Sequence, residues 1–228
     1  MEFSQLESFI FEKIGESKLP GVAAALVQDN QVIWTKGFGF RDIERGLGAT
    51  PHSLYGIGSI TKSFTALAIM QLVERSLLSL DDPVEKYIPF PVKPHGELVR
   101  IWHLLTHTSG IPALAYAEAV IRGATGAGQT WLPISGYSDM LTFLRDANEW
   151  VLDKPGARWF YLNEGYILLG MIIEVCSGVK YAEYISKYIF EPLGMNRSFF
   201  EKQDVERDPD NATPYVVTDD GQRRPSTY

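Results

Sequence analysis

Gly56-Ile57-Gly58-Ser59-Ile60-Thr61-Lys62-Ser63, followed by the apolar run of residues 64–73, sets a hydroxyl and an amine three positions apart where a helix begins. Positions i and i+3 of a helix share a face, so Ser59 and Lys62 can approach each other if both belong to the first turn. The positive end of the helix dipole would favour a serine alkoxide as it forms. Apolar neighbours such as Phe64 and Leu67 would strip water from Lys62 and favour the neutral amine that accepts the serine proton. Ile57 and the apolar continuation predict a buried helix start, and Gly56 and Gly58 permit close backbone approach. Two plainer readings compete. In one, Ser59 caps the helix and Lys62 reaches solvent; in the other, Gly56 and Lys62-Ser63 belong to a nucleotide-binding P-loop. Thr61 stands where that loop needs glycine, and no clean parallel strand leads in, which argues against the phosphate reading.

Upstream, Phe3, Leu6, Phe9, Ile10 and Ile14 form a helical stripe that Pro20-Gly21 ends. Residues 22–27 and 32–39 then read as two strands joined by the polar turn Gln28-Asp29-Asn30-Gln31, with an irregular stretch around Asp42, Gly46 and Gly48. Downstream, prolines at 83, 89, 91 and 94 allow only short helices. Residues 101–112 predict a helix stopped by Gly110 and Pro112, and residues 139–151 resume helical spacing. Residues 165–177 predict a long apolar helix closed by Gly178, and residues 181–190 repeat the pattern until Pro192. Residues 123–129 read as a surface loop, and residues 212–225 as a hairpin turning at Asp219-Asp220-Gly221. Two strands and one short hairpin make a thin sheet for so many apolar helices, so a further portion is expected to complete the fold.

The 228 residues are 45% hydrophobic and 21% charged, enough for one substantial domain. A net charge of −7 with scattered Lys and Arg offers no stripe for nucleic acid and little attraction to anionic membrane. The single cysteine, Cys176, excludes an intrachain disulfide framework and reads as an inert buried thiol. No segment reaches the roughly 20 apolar residues of a membrane span, and acidic residues near Met1 do not suit a signal peptide, so the expectation is cytoplasmic.

A second constellation is Pro155-Gly156-Ala157-Arg158-Trp159-Phe160-Tyr161-Leu162-Asn163-Glu164-Gly165. On an extended connection, a spacing of two points Tyr161 and Asn163 the same way. A phenol beside an ammonium can relay a proton, and an asparagine amide can hold a substrate carbonyl while steadying a lysine. Taken alone, the same residues also fit a half-buried aromatic and a helix cap.

Together these motifs resemble the serine β-lactamase-like superfamily, in the group of class C β-lactamases, D-alanyl-D-alanine carboxypeptidases and esterases with Ser-x-x-Lys and Tyr-x-Asn motifs. The resemblance extends through Leu19-Pro20-Gly21, Leu80-Asp81-Asp82-Pro83, residues 103–112 and Pro192-Leu193-Gly194-Met195. It implies an α/β (α+β) fold in which an antiparallel sheet is flanked by helices beside a mostly helical region. Residues 1–75 would begin the α/β part, 76–205 form the helical region, and 206–228 return toward the sheet. It also implies acyl transfer without metal or organic cofactor. Ser59 would be nucleophile, Lys62 and Tyr161 would manage the proton, Asn163 would orient substrate, and the Ser59 backbone N–H would form half of the oxyanion hole.

The implied substrates are small peptides, amides or esters, including those with D-amino acids, and the group also contains β-lactamases and penicillin-recognising sensors. His103 and His107 would be structural or hydrogen-bonding residues. Leu162, where the family often has serine or alanine, should change packing more than chemistry. The family's third motif, Lys or His then any residue then Gly, lies on a later strand. Lys154-Pro155-Gly156 spells it but precedes Tyr161, and its proline could not supply the strand hydrogen bonds. The resemblance therefore implies a continuation or a C-terminal fragment as partner, and leaves a homo-oligomer open.

Overall fold

The computed structural model describes residues 3–114, 116, 119, 137–217 and 222–226. The predicted loop at 123–129 and the turn at Asp219-Asp220-Gly221 lie outside the described residues. Within them the chain divides into two compact units, one built from residues up to Gly56 and from Phe199 onward, the other from those between Ile57 and Ser198.

In the first unit, helix α1 (Ser4–Ser17) precedes strands β1 (Gly21–Gln28) and β2 (Gln31–Asp42). The strands pair antiparallel from Gly21↔Gly39 to Gln28↔Gln31. Asp29 and Asn30 turn the hairpin with φ of 51° and 60°, the left-handed pair that matches strand twist in a two-residue loop. The predicted stripe on α1 is only partly covered, and none of its residues is buried. Its anchor is polar: Glu7 accepts from Trp34 Nε1 at 3.1 Å and Lys36 Nζ at 2.5 Å.

A short strand missed by the sequence reading, β3 (Leu47–Gly48), adds to β2 where an irregular stretch was expected. It is two residues long and carries no alternating pattern to read. Asp42 closes the loop before β3 by accepting from the Arg45 N–H at 2.7 Å, Thr213 Oγ1 at 2.8 Å and Arg45 Nε at 2.8 Å. These bonds pull its pKa down to about 2.

Asp210 fastens the stretch that leads toward Gly56. Its carboxylate accepts from Thr50 Oγ1 at 2.5 Å and Ser53 Oγ at 2.8 Å and pairs with Arg41 Nε at 3.1 Å. The Leu54 N–H donates to the Asp210 carbonyl at 2.9 Å.

The second unit holds the main apolar core. After a 3₁₀ turn at Gly58–Ile60 runs α2 (Thr61–Glu74), followed by 3₁₀ turns at Val84–Lys86 and Pro94–Gly96 where the prolines forbid longer helices. Helix α3 (Ile101–Leu105) is shorter than predicted and leads to Gly110, whose φ is +81°. A side chain at Gly110 would put its Cβ 2.0 Å from the Asp153 carbonyl oxygen, so glycine is required both for conformation and for space. Helix α4 (Tyr137–Leu144) continues as a 3₁₀ turn to Trp150.

Helix α5 (Asn163–Ser177) ends at Gly178 as predicted, and α6 (Tyr181–Ile185) passes into a π-helical turn at Ser186–Phe190. Ala68, Ile69 and Leu72 of α2 pack with Leu168, Leu169, Ile172 and Ile173 of α5 and with Tyr184 and Ile185 of α6, all fully buried. Truncating Ile172 to alanine is expected to cost about 2–5 kcal/mol through lost burial and a residual cavity, measurable by denaturant unfolding.

Cys176, expected to be buried, is only half-buried, and that burial raises its thiol pKa. Among the described residues no single helix is long and apolar enough to cross a membrane. Helix α7 (Lys202–Arg207), which the sequence reading missed, belongs to the first unit. The predicted hairpin follows as β4 (Tyr215–Val217) and β5 (Arg223–Pro225), paired antiparallel.

Candidate active site

Ser59 occupies the middle of the 3₁₀ turn that enters α2. Lys62, three residues on in the first turn of α2, falls on the same face as Ser59. Lys62 Nζ lies 3.0 Å from Ser59 Oγ. Gly58 makes the entry by adopting φ of +51°. Its Cβ position meets nothing within 4 Å, so conformation rather than the expected close approach is what requires glycine there.

The predicted burial of this helix start is not observed. Ile57 is 47% exposed, Ile60 63% and Leu67 43%, so the apolar run has one uncovered face. The run is apolar all round, and such a pattern cannot distinguish a face packed in the same unit from one left open.

Tyr161 and Asn163 come from the other side of the unit, and the sequence spacing is obeyed. Leu162 between them is 1% exposed and points into the core, while its neighbours are half-buried and face Ser59 and Lys62. Tyr161 OH donates to Ser59 Oγ at 2.7 Å, and Lys62 Nζ donates to Asn163 Oδ1 at 2.6 Å. Lys62 Nζ also stands 4.9 Å from the centre of the Tyr161 ring and 5.5 Å from that of Tyr166. An ammonium over two aromatic faces is held electrostatically as well as by its hydrogen bonds. Lys62 and Tyr161 thus meet on the one serine oxygen, and Asn163 joins them through Lys62.

Tyr166 was not singled out from sequence. It follows Asn163 by three positions on α5, and that helical spacing was the signal that could have found it. Its OH donates to the Leu105 carbonyl at 2.9 Å.

The two histidines make hydrogen bonds, as expected. His103 is buried, its Nδ1 accepting from the Arg100 N–H at 2.8 Å, and burial depresses its pKa. His107 Nδ1 accepts from the Leu162 N–H at 3.1 Å, and its ring lies 4.5 Å from that of Tyr161. Burial, with Lys62 nearby, lowers its pKa too. Lys154-Pro155-Gly156 forms a turn beside Trp102 and His103, not a strand, as the proline implied.

Chemically, Ser59 Oγ accepts from two donors, Lys62 Nζ and Tyr161 OH. This arrangement can stabilise an alkoxide, and loss of a proton from Lys62 or Tyr161 would turn that group into the serine's base.

The family model described as Beta-lactamase matches residues 6–227. The octameric penicillin-binding protein homologue from Pyrococcus abyssi superposes with a TM-score of 0.95 at 54% identity, covering 100% of this chain and 51% of that one. Penicillin-binding protein 4* of Bacillus subtilis is 32% identical over 190 residues, 83% of this chain and 40% of its own length. Protein flp of Staphylococcus aureus is 31% identical over 202 residues, 87% of this chain and 38% of its own length. A class C β-lactamase shares the fold, with a TM-score of 0.75 at 22% identity over 97% of this chain and 56% of that one. The chain therefore spans about two fifths of these curated relatives and about half of these solved structures. The match over nearly all its length, on a fold shared with penicillin-binding protein homologues, shows that the chain belongs to the Beta-lactamase family.

Proposed function

We propose that this chain carries the nucleophile half of a serine hydrolase that works through an acyl-enzyme on small peptides or amides, including those with D-amino acids. The observation that carries the reading is the convergence on Ser59 Oγ of Tyr161 OH at 2.7 Å and Lys62 Nζ at 3.0 Å, with Lys62 steadied by Asn163 at 2.6 Å. Ser59 attacks the substrate carbonyl as its proton passes to Lys62 or Tyr161. That proton then goes to the leaving group, and water releases the acyl group from Ser59. The Ser59 N–H serves the developing oxyanion, and Asn163 orients the substrate amide.

Penicillin-binding names among the relatives support a peptide-like acyl donor over a simple ester. The reading includes a contribution to the oxyanion hole and sheet from protein beyond these residues, in keeping with the greater length of the relatives. The octameric homologue supports a homo-oligomer here, which light scattering would measure.

The test is mass spectrometry of the whole purified sample after a serine-reactive probe, followed by turnover of a D-aminoacyl amide, a p-nitrophenyl ester and a β-lactam. Label on Ser59 with fastest turnover of the amide is the expected result. A preference for the ester or the β-lactam overturns the substrate class, and a stable stoichiometric adduct without turnover makes the protein a sensor instead.

A further inference from the structure

We propose that His107, as a neutral imidazole protonated on Nε2, is the positioning residue that holds Tyr161 and Asn163 in register with Ser59. This rests on the acyl-transfer reading above. His107 follows α3 with φ of +58°, in the left-handed region that non-glycine residues seldom occupy. A conformation of that kind persists only where its surroundings impose it.

Here the conformation lets one residue grip the same extended segment twice. The Phe160 N–H donates to the His107 carbonyl at 2.8 Å, and the Leu162 N–H donates to His107 Nδ1 at 3.1 Å. N–H groups two residues apart on an extended chain face the same way, so His107 takes the place of a neighbouring strand. Tyr161 sits between the two bonds and Asn163 directly after them. The imidazole then meets the Tyr161 ring at 4.5 Å and the Tyr166 ring at 5.2 Å, inclined by 37° and 38°. Tyr166 is itself fixed to the Leu105 carbonyl at 2.9 Å, so the imidazole lies among rings that have little freedom.

The grip needs a lone pair on Nδ1. A neutral imidazole offers one acceptor nitrogen, and imidazolium offers none. The titratable groups that face it are Lys62 from α2, Tyr161 from the connection before α5, and Tyr166 from α5. Burial and the Lys62 charge both favour the neutral form and keep its pKa below the ordinary histidine range. The hydrogen bond is therefore intact at neutral pH and is lost as pH falls through that lowered value. Protonation would turn the Nδ1 acceptor into a donor aimed at the Leu162 N–H, releasing the segment that carries Tyr161.

The substitutions His107→Asn and His107→Phe separate acceptor from ring. Asparagine tolerates a positive φ and presents Oδ1 near the place of Nδ1, without titrating. Phenylalanine keeps an aromatic ring and offers no acceptor. The rate at which a fluorophosphonate probe labels Ser59 is followed from pH 5 to pH 8 in the whole protein, with kcat and KM for a p-nitrophenyl ester and thermal unfolding of each variant.

The Phe variant is expected to lose about 10²-fold in labelling rate and kcat with little change in KM, as a small misplacement of a proton-transfer group would produce. The Asn variant is expected to stay within about tenfold of wild type and to lose the acid-side fall in rate. A folded Phe variant that labels at the wild-type rate overturns the proposal, as does an Asn variant that keeps the wild-type acid limb. If the Phe variant unfolds, the Asn profile decides. A wild type that is not labelled at Ser59 overturns the acyl-transfer reading itself, whereas a labelled wild type indifferent to both substitutions overturns only the role of His107.

Discussion

Ser59→Ala is expected to abolish acyl-adduct formation and to lower turnover by about 10⁶-fold, the scale seen when a serine nucleophile is removed from a coupled hydroxyl–base pair. Such a loss corresponds to about 8 kcal/mol of transition-state stabilisation. The hydrogen bonds that Ser59 Oγ accepts from Tyr161 OH and Lys62 Nζ, at 2.7 Å and 3.0 Å, have no acceptor once Oγ is gone. Ser59 is exposed, so the substitution leaves no core cavity, and unfolding free energy should stay within about 0.5 kcal/mol of wild type. Intact mass after probe treatment, measured beside a denaturation curve, checks both halves of the expectation. A labelled alanine variant would mean that another nucleophile is at work.

Lys62→Ala should lower kcat/KM by about 10²–10⁴-fold, the usual contribution of a positioned proton-transfer group. Lys62 has several partners, and this shapes the result. Its ammonium bonds to Ser59 and Asn163 and lies against two tyrosine rings, so alanine removes charge, hydrogen bonds and ring contact together. Lys62→Met keeps most of the stem and isolates the loss of the amine. If the amine is the active component, the two variants should fall together. If Tyr161 alone serves as base, Lys62→Met should retain most of the rate while Tyr161→Phe does not, and steady-state kinetics separates these outcomes.

Local spacing was the readable part of this site. Ser59 and Lys62 are three residues apart and meet through helical geometry alone. Tyr161 and Asn163 are two apart and share a side because the chain between them is extended, with Leu162 turned into the core. That these pairs meet across 102 residues is not a local property, and only the family resemblance brought them together. The long apolar helix from Asn163 to Ser177 was readable for a similar reason, since its period persists over several turns.

What escaped the reading depends on neighbours distant in sequence. The exposure of Ile57 and Ile60 is decided by what covers the helix, which hydrophobicity does not record. The two-residue strand at Leu47–Gly48 exists because β2 offers it an edge, not because of its own composition. The helix predicted within residues 101–112 stops after Leu105, and His107 reverses its backbone to a positive φ. No residue type announces that reversal, because the compensating bonds come from Phe160 and Leu162.

Leu162, buried to the last percent between Tyr161 and Asn163, has a bearing on how the protein could change over time. The Tyr161–Asn163 pair is carried by a peg seated in the hydrophobic interior. Substitutions that loosen that interior reach the pair directly, without touching a polar atom of the site. Heat or core mutation should therefore erode catalytic rate before the fold itself is lost. Lineages descended from this sequence would have less freedom to vary the socket around Leu162 than to vary the exposed rim at Ile57 and Ile60.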